Sequence, residues 1–405
     1  MKLRRAIVAL LILLALLPGP AQAYVTSTTV PAAGGCPQLN RWNISAVSPL
    51  NRQWSTALPS SQILITFAYP GGPAQMDEIA GVIEESYAVW SGVSGATINS
   101  VNYPGTLGPL GTTAILNACT NDALSNADGL NTICFDQSSD GFTTGVLAFT
   151  RTIVADAPGV TVGASATSTF AGQILDADIF FRNDGTVSFA TPAALATAAG
   201  ANAYDLESIL IHEIGHLFGL EESGIWASVM SPFAAPPGTY SGMRPNPQDA
   251  DAPLADDDRT GLRNLYPDPL DAVNVGTISG RVLPANPFAL AIQPPPSLGQ
   301  SVTGIFGTQV VAVDAATGAV IAGTLGGWSC SAGNPPAVFD GSFNISRLPL
   351  GRSYNIYVEP WDGLATASSV QTPISDLCSG SAAGCTSPTL NTNFTTRMLP
   401  ATPAQ

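Results

Sequence analysis

Both histidines of this 405-residue chain lie in one short stretch, His212-Glu213-Ile214-Gly215-His216-Leu217-Phe218-Gly219-Leu220-Glu221-Glu222. On a helix, residues four apart share a face, so His212 and His216 sit one turn above the other. Two imidazoles placed this way can bind one zinc ion, and Glu213 then stands beside the metal as a general base. Glu222 follows ten residues after His212, where a third ligand would be presented from outside the helix. Glu221 is a rival by one residue, but its offset is wrong. An amphipathic core helix can read HExxH with no metal. A chain with two histidines in all, both flanking a glutamate, is not scattering them as core filler.

Several elements must position this stretch. Asp205 can cap a helix whose apolar stripe runs through Leu206, Leu210, Ile214 and Leu217. Gly219 can end it with positive φ. A second helix is expected over 76–90, with Ile79, Val82, Ile83, Tyr87 and Trp90 at three- and four-residue spacings. Strands are expected at 41–45, 62–69, 146–154 and 173–181. In the last of these Asp176 and Asp178 alternate with apolar residues and share one face. That face reads as solvated, with calcium binding or an edge beside substrate as the functional readings. Asp256, Asp257 and Asp258 cap a helix over 259–266. Pro267-Asp268-Pro269 stops it and begins a linker. From Val275 the apolar period becomes two, with strands at 277–283, 309–314, 319–325, 341–345 and 353–359. The chain thus divides into an α+β half with the histidines and an all-β half that reads as a binding or spacer module.

Composition narrows the function classes. Hydrophobic residues at 45% against 11% charged mark a globular chain. The net charge is −15 and Lys2 is the one lysine, which argues against nucleic acid as a partner. Lys2, Arg4 and Arg5 precede an apolar run over 6–17. Ala21-Gln22-Ala23 then forms a cleavage signal, so residues 1–23 read as a signal peptide and the protein as exported. No other run has the length of a membrane span. Six cysteines fit an oxidising compartment. Cys119–Cys134 and Cys378–Cys385 are the favoured local pairs, which leaves Cys36 and Cys330 over.

The zinc stretch resembles the matrixin branch of the metzincin peptidases, which carry HExxHxxGxxH and then a methionine turn. His212, Glu213, His216 and Gly219 stand where that family has them. Met230 stands at the Met-turn distance, and Pro232 resembles the wall of the primed-side pocket. Tyr87-Ala88-Val89-Trp90-Ser91 and the closing stretch from Asp257 to Tyr266 agree as well. The resemblance implies a twisted mixed sheet with three main helices over 40–267. The metal ligands would be His212, His216 and Glu222, with Glu213 catalytic and zinc the cofactor. Apart from the resemblance, the chain's acidity is compatible with bound calcium, though it reads first as a solvated surface. Tyr240, in the loop after the Met-turn, reads as an ordinary loop residue that has the chemistry to steady an oxyanion. The departures are Glu222 in place of histidine, no histidines for a second zinc, and no recognisable cysteine-switch segment. Glu222 brings a negative charge where histidine brings none, so the water beside the metal would be harder to ionise and activity would shift to alkaline pH.

Residues 275–398 resemble β-sandwich modules related to carboxypeptidase regulatory domains. The resemblance rests on Gly280-Arg281-Val282, Val313-Asp314-x-x-Thr317-Gly318 and the run from Asp340 to Tyr354, and it says little about the module's ligand. Residues 24–39 form a lead segment, 268–274 a linker and 399–405 a tail. The expected function is a secreted zinc endopeptidase acting on protein substrates. The alternative is a secreted surface or adhesion protein that holds zinc without cleaving peptides.

Overall fold

The computed structural model describes most of 26–45, then 52–54, 63–64, 74–98 and 131–137, and most of 142–239. It further describes 253–285, most of 304–330, 337–338, 340–360 and 397–403. The expected signal peptide, Tyr240, Cys119 and the Cys378–Cys385 pair lie outside these residues. The chain forms two compact units, one of Leu39–Val273 and one of Met1–Gln38 with Asn274–Gln405.

The unit of Leu39–Val273 is built on a mixed sheet. Its strands are β1 (Arg41–Trp42), β2 (Arg52–Trp54), β3 (Asn131–Gln137), β4 (Ala148–Ala155) and β5 (Gln173–Arg182). β1 and β3 run parallel to β5, and β2 runs parallel to β3. β4 lies antiparallel along β5, with Thr150 opposite Ile179. Among the described residues β4 pairs with no other strand, so it is an edge. β5, with partners on both sides, is not. The three longest helices among the described residues of this unit are α1 (Ala74–Ser91), α2 (Leu206–Leu217) and α3 (Asp256–Leu265). Of the strand expected over 62–69, residues 63–64 are paired with 189–190.

The apolar stripes meet where their spacing predicts. Ile79, Ile83, Tyr87 and Trp90 of α1 pack with Leu210, Ile214 and Leu217 of α2 in one core. Burying each such side chain contributes roughly 1.5–3 kcal/mol. Two indoles then fasten α2 by its carbonyls. Trp90 Nε1 donates to Ile211 O and Trp42 Nε1 to Leu217 O, both at 2.8 Å. Tyr266, just past α3, donates to Phe218 O at 2.7 Å.

Three expectations change. Asp176 is 2% exposed, and Asp178 accepts a hydrogen bond from the Thr132 N–H at 2.8 Å. Asp176 is buried and Asp178 partly buried, so their face is not an open solvated one. The three aspartates lie inside the first turn of α3, with Ala255 at the N-cap, and Asp258 supports the helix start by accepting from Ala255 N at 2.8 Å. The linker at 268–274 contains a 3-10 turn, Pro269–Val273, tied back by an ion pair between Arg263 and Asp271 at 3.3 Å.

The other unit is all β among its described residues. Strands β7 (Thr308–Asp314), β8 (Val320–Gly326), β10 (Ser353–Pro360) and β11 (Arg397–Pro403) form a four-stranded sheet in the order β8-β7-β10-β11. β6 (Val275–Arg281) pairs with β9 (Ser342–Pro349). Ile278 and Ile345 from the pair share a core with Val310, Ile321 and Ile356 from the sheet. Cys36 and Cys330, the two left over by local pairing, are bonded to each other across 294 positions of sequence. Cys134 is also disulfide-bonded.

Candidate metal centre

Helix α2 begins where Asp205 accepts a hydrogen bond from the Glu207 N–H at 3.2 Å. It ends because Gly219 adopts φ +97°. A Cβ there would fall 2.2 Å from Asn40 O, so no side chain fits. Leu220 N donates back to Gly215 O at 3.0 Å, and the reversal returns the chain toward the histidines.

His212 Nδ1 lies 2.8 Å from Val229 O and His216 Nδ1 2.8 Å from Leu220 O. A carbonyl oxygen can only accept, so each Nδ1 carries a proton and each neutral ring keeps a lone pair on Nε2. Those two Nε2 atoms are 3.1 Å apart. Glu222 Oε1 lies 3.7 Å from each of them. One donor atom from each of the three residues falls within 4.8 Å of the others. Glu222 Oε2 is buried with no hydrogen-bond partner among the described residues. Three lone-pair donors converging beside an unpartnered carboxylate oxygen fit a bound cation. The side chains stay 17–19% exposed, so water can reach them. Among the described residues, this group of three is the one with metal-site geometry, and Asp176, Asp178 and Glu221 are not in it.

Electrostatics couples the three tightly. Burial opposes charge on His216, but hydrogen bonding to Glu222 and its negative charge outweigh it and push the imidazole up to about 10. His212 is raised too, against burial, chiefly by Glu222. Burial would raise Glu222, yet the two histidines pull it down to about 2.

Met230 lies in a turn beneath α2, buried at 2% exposure. Its place requires Gly215 on the helix, since a Cβ there would meet Met230 Sδ at 2.2 Å. Pro232 follows, half-buried, and Phe233 is 44% exposed. The turn is held by Asp258 of α3, which accepts from Val229 N at 2.9 Å, Met230 N at 3.2 Å, and the Ser228 hydroxyl. Asp258 thereby fixes the peptide whose carbonyl orients His212. Asp257 accepts from Ser223 Oγ at 2.7 Å. Sequence reasoning reads these aspartates as helix-start residues and misses their serine partners, 30 and 34 positions upstream.

Glu213 is 4% exposed. Thr150 Oγ1, on β4, lies 2.7 Å from Glu213 Oε2 and 2.9 Å from Glu213 O. Nothing in the local sequence signals this contact, because it depends on the strand–helix packing.

Comparison with known proteins agrees with this part of the chain. Residues 145–267 match the matrixin family model, Peptidase_M10. The stretch that carries the site is matrixin-like. Metalloendoproteinase 1 of Glycine max is 34% identical over 111 residues. The match spans 27% of this chain and 30% of that protein. The matrixin-like stretch contains β4, β5, α2, the Met230 turn and α3, so His212, Glu213, His216, Glu222, Met230 and Asp258 all lie inside it. Among the described residues, no helix is long and apolar enough to cross a membrane.

Proposed function

We propose that the chain is a secreted zinc-dependent endopeptidase acting on protein substrates, with its site on α2. The observation that carries this reading is the convergence of His212 Nε2, His216 Nε2 and Glu222 Oε1, beside a buried glutamate one residue after the first histidine. The match of residues 145–267 to the matrixin family supports it.

His212, His216 and Glu222 would hold the zinc. Bound there, zinc acidifies a water molecule and polarises the carbonyl of the bond to be cleaved. The work of the chain's own residues follows from their placement. Val229 O and Leu220 O hold both imidazoles in the tautomer that presents Nε2. Glu213 takes a proton from the attacking water and later gives it to the departing amine. The open edge of β4 lets an extended substrate segment add as a further strand, through main-chain hydrogen bonds that ask little of its sequence. Residues 1–23 direct export, and the all-β unit is a β-sandwich binding or spacer module.

The test is hydrolysis of casein across pH 6 to 10 by zinc-loaded protein beside its Glu213→Ala variant. Turnover that stops in the variant, with zinc content unchanged, is expected. A protein that holds one zinc per chain and cleaves nothing, including a broad peptide library, would move the assignment to a zinc-binding protein without peptidase activity.

A further inference from the structure

Thr150 faces two ways. Its side chain reaches Glu213, as described above. Its main chain is turned away from β5, as the register shows. Arg182 N donates to Leu147 O at 2.9 Å, and Ala148 stands opposite Phe181. Leu147 is therefore in a hydrogen-bonded pair, and such pairs alternate along an antiparallel ladder. Phe149 and Arg151 point their N–H and C=O groups at β5. Ala148, Thr150 and Thr152 point theirs at the open edge. The side chains split the same way: Phe149 stacks on Phe180 with centroids 5.1 Å apart, while Thr150 contacts α2.

We infer that Thr150 is a positioning residue that couples substrate docking on β4 to the placement of the Glu213 carboxylate. Its one hydroxyl proton is shared between Glu213 Oε2 and Glu213 O. This fixes the carboxylate plane through Oε2. A substrate strand that hydrogen-bonds to the Thr150 backbone registers on the same residue that holds the base. The distance between the scissile bond and the base is then set through one side chain, so a small displacement of either is felt by the other. No proton leaves Thr150 in the reaction; it donates a hydrogen bond throughout.

The inference rests on the peptidase reading, and the experiment separates the two. Zinc-loaded full-length protein is compared with Thr150→Val, which keeps the branched shape and loses the hydroxyl, and with Thr150→Ser, which keeps the hydroxyl. In Thr150→Val, kcat should fall about 10- to 100-fold with KM changed less than about threefold, and Thr150→Ser should recover to within about threefold of the unmodified protein. A second readout needs no turnover. Acetohydroxamate offers oxygens to the metal and a hydroxyl to the Glu213 carboxylate, and should bind Thr150→Val about tenfold more weakly than the unmodified protein or Thr150→Ser. Equal zinc content is expected in all three. Unchanged kcat and hydroxamate affinity in Thr150→Val overturn the inference. So does a Thr150→Ser protein as impaired as Thr150→Val, or a Thr150→Val protein that loses zinc or melts early, either of which makes the role structural. An unmodified protein that holds zinc but cleaves nothing sinks the peptidase reading, and the hydroxamate arm then decides Thr150.

Discussion

Glu222 is the residue on which the chemistry of the site turns. In its proposed role as an anionic ligand it would attract a cation strongly but lower the charge that the cation can exert on water. Glu222→Ala should weaken zinc binding more than about 100-fold, beyond the usual cost of losing a ligand's supporting partner, with the fold retained. Competition against a chelator measures this, and unchanged affinity would remove Glu222 from the ligand set. Glu222→His should shift the acidic limb of the kcat/KM profile to lower pH, read from pH–rate curves of both proteins. The same residue sets the pH behaviour of the chelated protein. His216, raised from 6.5 to about 10, contributes stability that is full below 6.5 and lost as pH rises toward 10. Glu222, lowered from 4.5 to about 2, contributes stability that is full above 4.5 and lost as pH falls toward 2. Both contributions are complete between 4.5 and 6.5. Zinc must displace protons from the imidazoles, so it competes least well there. The gain in Tm on adding zinc to chelated protein should therefore grow as pH rises from 6.5 toward 10. A gain that shrinks over that range would contradict the coupling.

At the scale of elements, the site is a helix clamped against a turn. Gly215 and Met230 share a space that admits no added methyl, since the new Cβ would also come within 2.9 Å of the Trp90 ring. Gly215→Ala should cost about 1–3 kcal/mol by overpacking and loosen zinc, as seen by urea denaturation and chelator competition. Asp258→Ala should cost about the same by leaving the Val229 and Met230 N–H groups without their acceptor, and should weaken zinc through His212. The helices behind this clamp were legible because their signals are local. Apolar spacing located α1 and α2, Asp205 located the start of α2, and Gly219 its end. The readings that changed depend on partners distant in sequence. Whether Asp176 meets water is decided by what packs over its face of β5, which the alternation of residues along the strand does not reveal. What Asp258 does is decided by a turn about thirty residues earlier. Thr150 meets Glu213 only because the edge strand lies along the helix.

At the scale of the molecule, each unit has its own apolar core. Calorimetry should resolve two transitions. The double variant Cys36→Ser/Cys330→Ser should lower one of them and leave the zinc-sensitive one in place, because both cysteines belong to the all-β unit. The bond spans 294 positions, but Leu39–Val273 stays folded while the all-β unit melts, so the loop closed in that transition is shorter and the roughly 5–6 kcal/mol of the simplest chain model is an upper bound on the shift. A zinc-sensitive transition that moves instead would assign the bond to the other unit's stability.

That bond also makes the backbone between residues 36 and 330 a closed covalent ring, with the whole of Leu39–Val273 inside it. A ring cut once becomes a line and not two pieces. A single nick anywhere from 37 to 329, whether self-inflicted or made by another protease, leaves one molecule of unchanged mass apart from one added water. Nicked and intact protein would run together without reductant and separate into fragments with it. Separation on a non-reducing gel would show that the ring is open.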